Sequence, residues 1–403
     1  MTPNLADQPW LVSERSKSVL AALEAEGGHD CARFVGGCVR NALLNAPVDD
    51  IDIATQLTPQ RVVKALKVAG IRSVPTGIEH GTVTAIVGKQ PFEITTLRRD
   101  VETDGRHAVV AFTTDWAEDA ARRDFCLNAL YASGDGTIHD PTGRGVEDAL
   151  AGRIVFVGEP EQRIREDYLR ILRFYRFQAW YGRGEPDAEG SSACAKLAEG
   201  VATLSAERVS KELLKLLAAK DPRASVHAMA QAGVLKVLVP EADLALFDAM
   251  VALTPDALMR LSSLLPLDGV VVGEVAKRLR LSNAQRDRLV AAAVPLEPTI
   301  KDVEARGLIW ELGVQTFTDR ARRAQAAGAD ASRMSGLVQM AQHWTPPALP
   351  VSGRDLAKRN IRPGPQTGLI LKAFQASWMA EDFPDHGHDE RLDKAIRAVI
   401  GQP

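Results

Sequence analysis

The spacing of apolar residues changes character once along this chain. From residue 13 to about residue 150, helical spacing alternates with short runs of period two; from about Glu159 onward only helical spacing remains. That switch predicts a small mixed α/β domain with one sheet, followed by a long helical body. At 403 residues the chain has room for two or three domains at about 150 residues each. The expected divisions are a head over 1–150, a helical neck over 151–220 and a helical body and tail over 221–403. No internal repeat and no low-complexity tract interrupts this plan.

Composition narrows the function classes. Hydrophobic residues are 45% and charged residues 25%, as in a folded protein and unlike a disordered one. Lys plus Arg number 49 against 52 Asp plus Glu, a net charge of −3, which excludes binding of a polyanion through bulk charge alone. Any such partner must meet a local basic surface. The start MTPNLADQPW lacks the basic and apolar regions of a signal peptide, and no apolar run approaches the roughly 18 residues of a membrane helix, so the chain reads as cytoplasmic. Cys31, Cys38, Cys126 and Cys194 are scattered, with neither the pairing nor the neighbouring histidines of a zinc site or disulfide framework.

Within the head, Ser13 to Glu26 reads as a helix, CARFVGG as a strand ending in two glycines, CVRNALLN as a short helix and DIDIA as a strand. Thr58-Pro59 opens a helix that stops at Gly70. GTVTAIV and FEITTL, separated by Gly88-Lys89-Gln90-Pro91, read as a hairpin. Beyond Glu159, EPEQRIREDYLRILRFYRFQAWYG reads as one helix, followed by a break at Gly182 to Ser192 and further helices to the end.

The residues with the most chemistry are carboxylates. On a strand, Asp50 and Asp52 project from one face about 6 to 7 Å apart while Ile51 and Ile53 face the core. Two like charges so placed call for a cation, and hard divalent ions such as Mg²⁺ take carboxylate oxygens. Two such ions about 4 Å apart would clamp the attacking and leaving oxygens of a phosphoryl displacement. Just upstream, Gly36-Gly37 joins a strand to the helix carrying Arg40, a place for backbone N–H groups and a guanidinium to meet a triphosphate. Glu93, at the start of the second hairpin strand, supplies a third carboxylate if that strand pairs near DIDIA.

In order along the chain, FVGGCVRNALLNAPVDDIDIAT, HGTVTAIV, FEITTLRRD, RRDFCLNAL and DPTGRGVEDALAGRIVFVGEPEQRIREDYLRILRFYRF resemble the tRNA nucleotidyltransferase and poly(A) polymerase family, specifically its class II CCA-adding type. The resemblance covers at least residues 33 to 178, and VSGRDLAKRNIRPGPQTGLILKAF is similar to the family's tail. It implies an α+β fold, with a polymerase beta-like nucleotidyltransferase head on a helical neck, body and tail. It implies Asp50, Asp52 and Glu93 as catalytic metal ligands and Mg²⁺ as cofactor. Gly36, Gly37 and Arg40 would then face the triphosphate, and Arg123, Asp124 and Asn128 the phosphates and ribose of the incoming nucleotide. The chain departs from the family at Asn41, where Asp is usual, and at Cys126, where Thr or another small residue is common. Asn41 can accept a hydrogen bond but carries no charge, which bears on whether it orients Arg40.

Glu166-Asp167-Tyr168-Leu169-Arg170 is similar to the family's nucleotide-selecting motif. On a helix, Asp167 and Arg170 are i and i+3 and share a face. The carboxylate only accepts and the guanidinium only donates, which suits the amine and ring nitrogen of both cytosine and adenine and opposes uracil and guanine. Arg173, and with less claim Arg176, follow on the same helix as phosphate contacts. The polar stretch VETDGRHAVVAFTTDWAEDAA, with Gly105, Arg106 and His107, stands where the family carries a flexible loop needed to pass from C to A addition. His107 is given no acid–base role, and His386 and His388 lack the further ligands of a phosphohydrolase site. The partners implied are tRNA, CTP and ATP, with Lys277, Arg278, Arg280 and Arg286 among the body residues that would hold the RNA by shape and phosphate. A poly(A) polymerase, an enzyme adding only CC or only A, and a non-catalytic RNA-binding protein remain as alternatives.

Overall fold

The computed structural model describes residues 3–104 and 107–401. The chain divides into two compact units, Met1–Pro240 and Glu241–Pro403. The segment 151–220 therefore lies in the same unit as the sheet.

The first unit is built on β1 (Ala32–Val35), β2 (Asp52–Thr55), β3 (Arg72–Gly77), β4 (Thr82–Val87), β5 (Gln90–Thr96), β6 (Arg98–Asp104), β7 (His107–Phe112), β8 (Tyr131–Ala132) and β9 (Ile138–His139). Seven of these form one mixed sheet in the order β3-β4-β5-β2-β1-β8-β9, and β6 pairs with β7 alone. On one sheet face Phe34, Ile53, Val83, Phe92 and Ile94 are fully buried. The helices Glu14–Gly27 and Pro59–Val68 pack against the sheet. Their starts follow from local chemistry: Ser13 accepts the Ser16 N–H at 3.2 Å, and Pro59 occupies the first helical turn.

Several elements differ from the sequence reading. Strand β3 was not expected; it contains Pro75 and a register irregularity between Val74 and Gly77, both tolerated because it is the sheet's edge. The hairpin turn is tighter than four residues: Pro91 pairs with Ile86 inside the ladder, and Gly88 and Lys89, both at positive φ, make the two-residue reversal. Asp50 lies outside β2, which begins at Asp52. The stretch after FEITTL is a separate two-stranded ribbon in which Arg98 pairs with Phe112. Gly105, Arg106 and the side chain of His107 lie outside the described residues.

The expected continuous neck helix is two helices, Pro160–Glu166 and Leu169–Tyr181. Asp167 between them has φ −156° and ψ 103°, and its Oδ1 accepts the Leu169 N–H at 3.1 Å. That local side-chain bond competes with helix continuation and wins here. The break expected at Gly182 to Ser192 is shorter, since a helix resumes at Ala188 with Asp187 as its N-cap. The second unit is helical, with one core around Phe317, Met334 and Leu337 and another around Phe374, Trp378 and Leu392. All four cysteines are buried and unpaired. Among the described residues no helix is long and apolar enough to cross a membrane.

Candidate active site

The sheet brings two of the three predicted carboxylates into direct register. Asp52 on β2 pairs with Glu93 on the parallel neighbour β5, and residues in register project to the same face. Asp50 approaches along the segment leading into β2. Asp52 is partly buried, while Asp50 and Glu93 are exposed. Burial first, then the negative charges of Glu93 and Asp50, push the Asp52 carboxyl up to about 6, against a smaller opposing pull from Arg123. Among the described residues no three carboxylate, thiol or imidazole groups already close around a common point. Their chemistry nonetheless fits a hard divalent cation: the donors are all carboxylate oxygens, and their mutual repulsion is only partly offset by Arg123.

Beside them stands a charge cluster that sequence reasoning missed. Asp119 is 1% exposed. It accepts from Arg122 at 2.6 Å, from Arg123 Nη2 at 2.9 Å and from the Tyr131 hydroxyl at 2.7 Å. Burial alone would raise this carboxyl, but the two guanidinium charges outweigh it and hold it at about 2. Arg123 is thereby aimed at Gly36, where a Cβ would lie 3.6 Å from its Nη1. Gly36 has φ +70°, which only glycine adopts without strain, and its N–H is already donated to Leu130 O at 3.0 Å. Gly36 therefore lends shape to the site, with its own donor committed to the protein. The signal for Asp119 was present as an i,i+3 and i,i+4 relation to Arg122 and Arg123.

Arg40, Asp124, Asn128 and Arg173 do come together, as one chain of contacts. Arg173 Nε donates to Asp124 Oδ2 at 2.7 Å, Asn128 Nδ2 donates to Asp124 Oδ1 at 3.0 Å, and Arg40 Nη1 donates to Asn128 Oδ1. Arg40 is 6% exposed and donates further to Asn41 Oδ1 at 2.8 and 3.1 Å and to the Tyr181 hydroxyl at 2.8 Å. The neutral Asn41 thus does orient Arg40, while its own amide donates to Pro47 O at 2.7 Å. Every direct acceptor among these is neutral, and burial pulls the Arg40 pKa below its ordinary value. Arg176 pairs with the buried Glu212 at 2.5 Å.

The selecting motif is arranged differently from the expected i,i+3 pair. Asp167 lies in the break between the two neck helices and pairs with Arg208 at 2.7 Å. Arg170 pairs instead with Glu166 at 2.6 Å and donates to the Arg163 and Arg122 carbonyls at 2.8 and 3.0 Å. With Asp167 in the break, helical i,i+3 spacing no longer applies to it, and Arg170 instead meets Glu166, the last residue of the first neck helix, across the break. Arg208, 41 residues from Asp167 in sequence, offered no local signal. In the second unit Lys277 pairs with Glu274, Arg278 with Glu241 and Arg286 with Asp287, and Arg280 sits at φ +49°.

Residues 32–155 match the family described as the Poly A polymerase head domain, and residues 186–246 the one described as "Probable RNA and SrmB- binding site of polymerase A". The chain is 34% identical to the mitochondrial CCA tRNA nucleotidyltransferase 1 of Mus musculus over 93% of its own length and 88% of the mouse protein. It is 31% identical to the CCA-adding enzyme of Lacticaseibacillus paracasei, over 91% and 92% of the two chains. The solved CCA-adding enzyme of Bacillus stearothermophilus in complex with CTP shares its fold with a TM-score of 0.75 at 24% identity, covering 96% of this chain and 99% of that one. The Thermotoga maritima CCA-adding enzyme complexed with tRNA gives 0.69 at 19% identity, covering 98% and 99%.

Proposed function

The chain belongs to the family of CCA-adding tRNA nucleotidyltransferases, and from that premise we propose that it adds C, C and A to tRNA 3′ ends from CTP and ATP without a template. The family is one of metal-dependent enzymes, and we propose Mg²⁺ as the ion, held by Asp50, Asp52 and Glu93. The observation that carries this reading is the parallel register of Asp52 with Glu93, within reach of the positive charge of Arg123.

In the reaction the terminal ribose hydroxyl of the tRNA attacks the α-phosphorus in line with the departing pyrophosphate. One P–O bond forms, the α–β bridging P–O bond breaks and the hydroxyl proton is released. When bound, the divalent ion lowers the hydroxyl pKa and neutralises charge on the reacting oxygens. Arg123, anchored by Asp119, presents its remaining guanidinium edge toward Gly36, where the phosphates would pass. Arg40 has most of its donors engaged inside the protein, so its part is to place Asn128 and supply positive potential. Asp124 and Arg173 tie the neck to the same network. Asp167 accepts from the exocyclic amine of C or A, and Arg170, whose Nε takes no partner among the described residues, donates to the ring nitrogen.

The test is transfer of labelled CTP and ATP, separately and together, onto tRNA lacking its CCA end. The expected product carries all three nucleotides. Incorporation of only C or only A would make this a partial enzyme, long A tails a poly(A) polymerase, and no incorporation despite tRNA binding a non-catalytic RNA-binding protein.

A further inference from the structure

Arg208 lies outside every residue assigned above to the nucleotide, yet its Nη2 lies 2.7 Å from Asp167 Oδ2. It sits near the start of the helix Ala206–Leu217, which is fastened to the neck helix at two other points. Glu212 takes Arg176 at 2.5 Å, and Lys215 O takes the Trp180 indole N–H at 2.8 Å. With those two ties present, the ion pair is not needed to dock the helices. It is also half open, with side-chain exposures of 40% for Arg208 and 31% for Asp167, the kind of pair that adds little to stability. Asp167 itself stands where the helix is broken, so no helical turn fixes its side chain. The direction of its carboxylate is set by two bonds, the Leu169 N–H on Oδ1 and Arg208 on Oδ2.

We propose that Arg208 is a positioning residue that determines base choice: it holds the Asp167 carboxylate in the orientation that receives an exocyclic amine. A carboxylate so held opposes a carbonyl with a fixed acceptor, which is costly for uracil and guanine. Without Arg208 only the Leu169 N–H on Oδ1 holds the carboxylate, and Oδ2 can turn about that single bond. The amine of C or A must then order it, which weakens binding, while a uracil or guanine carbonyl meets an acceptor that can swing aside. Discrimination falls from both sides. The inference rests on the reading of Asp167 as the group that meets the base.

Single-turnover incorporation of all four nucleotides by Arg208→Ala, Arg208→Lys and Asp167→Ala tests it, with thermal unfolding of each variant as the control for folding. Arg208→Ala should raise the UTP-to-CTP incorporation ratio by about tenfold, within the range expected when one polar contact is relaxed. The loss for CTP should appear mainly in the half-saturating CTP concentration, with the maximal single-turnover rate changed less and the melting temperature nearly unchanged. Arg208→Lys, which keeps a cation near Oδ2, should recover most of the selectivity. An unchanged ratio in Arg208→Ala beside an altered one in Asp167→Ala overturns the positioning role and leaves the base-reading of Asp167 standing. An unchanged ratio in Asp167→Ala removes the base-reading itself. If Arg208→Ala unfolds, the decision passes to Arg208→Lys, in which selectivity restored to a folded protein supports the role and a mere gain in stability with base ratios still relaxed overturns it.

Discussion

Two buried or partly buried aspartates in the first unit have been driven in opposite directions. Asp119 and Asp52 both lose solvent, and for both that loss alone would raise the carboxyl pKa. Around Asp119 stand two guanidinium groups and a phenol, and it settles at about 2. Around Asp52 stand Glu93 and Asp50, and it is pushed up to about 6. Burial supplies the penalty in each case; the neighbours decide its sign. The first cluster is electrostatically complete and rigidifies Arg123. The second is incomplete, a set of acceptors whose mutual repulsion a cation would relieve. Arg123 links them, bonded to Asp119 and opposing the rise at Asp52 through space.

The largest expected effect separates the two by activity. Asp52→Ala or Asp50→Ala should reduce nucleotide transfer by at least about a hundredfold, the scale on which loss of a charge-stabilising group is usually felt. tRNA retention in a filter-binding assay should stay nearly intact. Transfer surviving above about a hundredth of the normal rate would remove these carboxylates from the chemistry.

Next comes stability. Asp119→Asn leaves Arg122 and Arg123 around a neutral group, and breaking a buried ion pair from one side costs about 3 to 5 kcal/mol. Urea unfolding measures it, and a loss under about 1 kcal/mol would mean that the arginines find other partners. Because the folded pKa of Asp119 lies below its ordinary value, its contribution is present above about pH 4 and fades as pH falls toward 2.

How much of this was legible beforehand depends on the range of the interaction. Period-two alternation put Asp52 on a strand and Ile53 in the core, and the hairpin located the strand bearing Glu93. That the two strands are parallel neighbours joins residues 41 apart, which no local pattern reports. Asp50 was drawn into the strand because alternation continues past the point where pairing stops. Conversely, the Asp119 node was local enough to be seen, since Arg122 and Arg123 stand one helical turn away. Asp167 shows local evidence misjudged: its side chain could join helical spacing or bond the Leu169 N–H, and spacing alone does not choose. Pro75 concealed β3 because a proline counts against a strand except at an edge, and edges are defined only once the sheet is assembled. Family resemblance supplied the order of the motifs, and the contacts of Arg208 and Tyr181 lay beyond it.

A smaller effect turns the comparison into a pH experiment. The raised pKa of Asp52 means that the cation-free folded state holds its proton more tightly than the unfolded chain does. That contribution to stability is full below about pH 4 and lost as pH rises through about 6. At pH 7, in chelator, Asp52→Asn should therefore be more stable than the native protein by about 1 to 3 kcal/mol. The gain should vanish at pH 4 and shrink when millimolar Mg²⁺ is added. A gain of equal size at both pH values would trace to packing instead of charge, and the contrast with Asp119 would lose its basis.

The smallest effect concerns Asn41, where the chain uses a neutral acceptor for a buried arginine instead of the carboxylate that Asp119 provides for Arg123. Asn41→Ala removes both acceptor bonds to Arg40 and the donor bond to Pro47 O. Net bonds of this kind contribute about 0.5 to 1.5 kcal/mol each, and solvent at the exposed Pro47 end replaces part of the loss, so about 1 to 2 kcal/mol is expected. Asn41→Asp makes the Arg40 bonds charge-assisted and stronger, but it sets a carboxylate oxygen against the Pro47 carbonyl where an amide had donated. Gain and loss are each about 1 kcal/mol, so this variant should match the native stability within about that amount. Its transfer rate should remain close to native, while Asn41→Ala should slow transfer by loosening Arg40 and, through it, Asn128. Thermal unfolding and single-turnover CTP transfer on the two variants decide the matter. Equal losses in both would show that the amide is held for its bond to Pro47, and that Arg40 is fixed by Asn128 and Tyr181 alone.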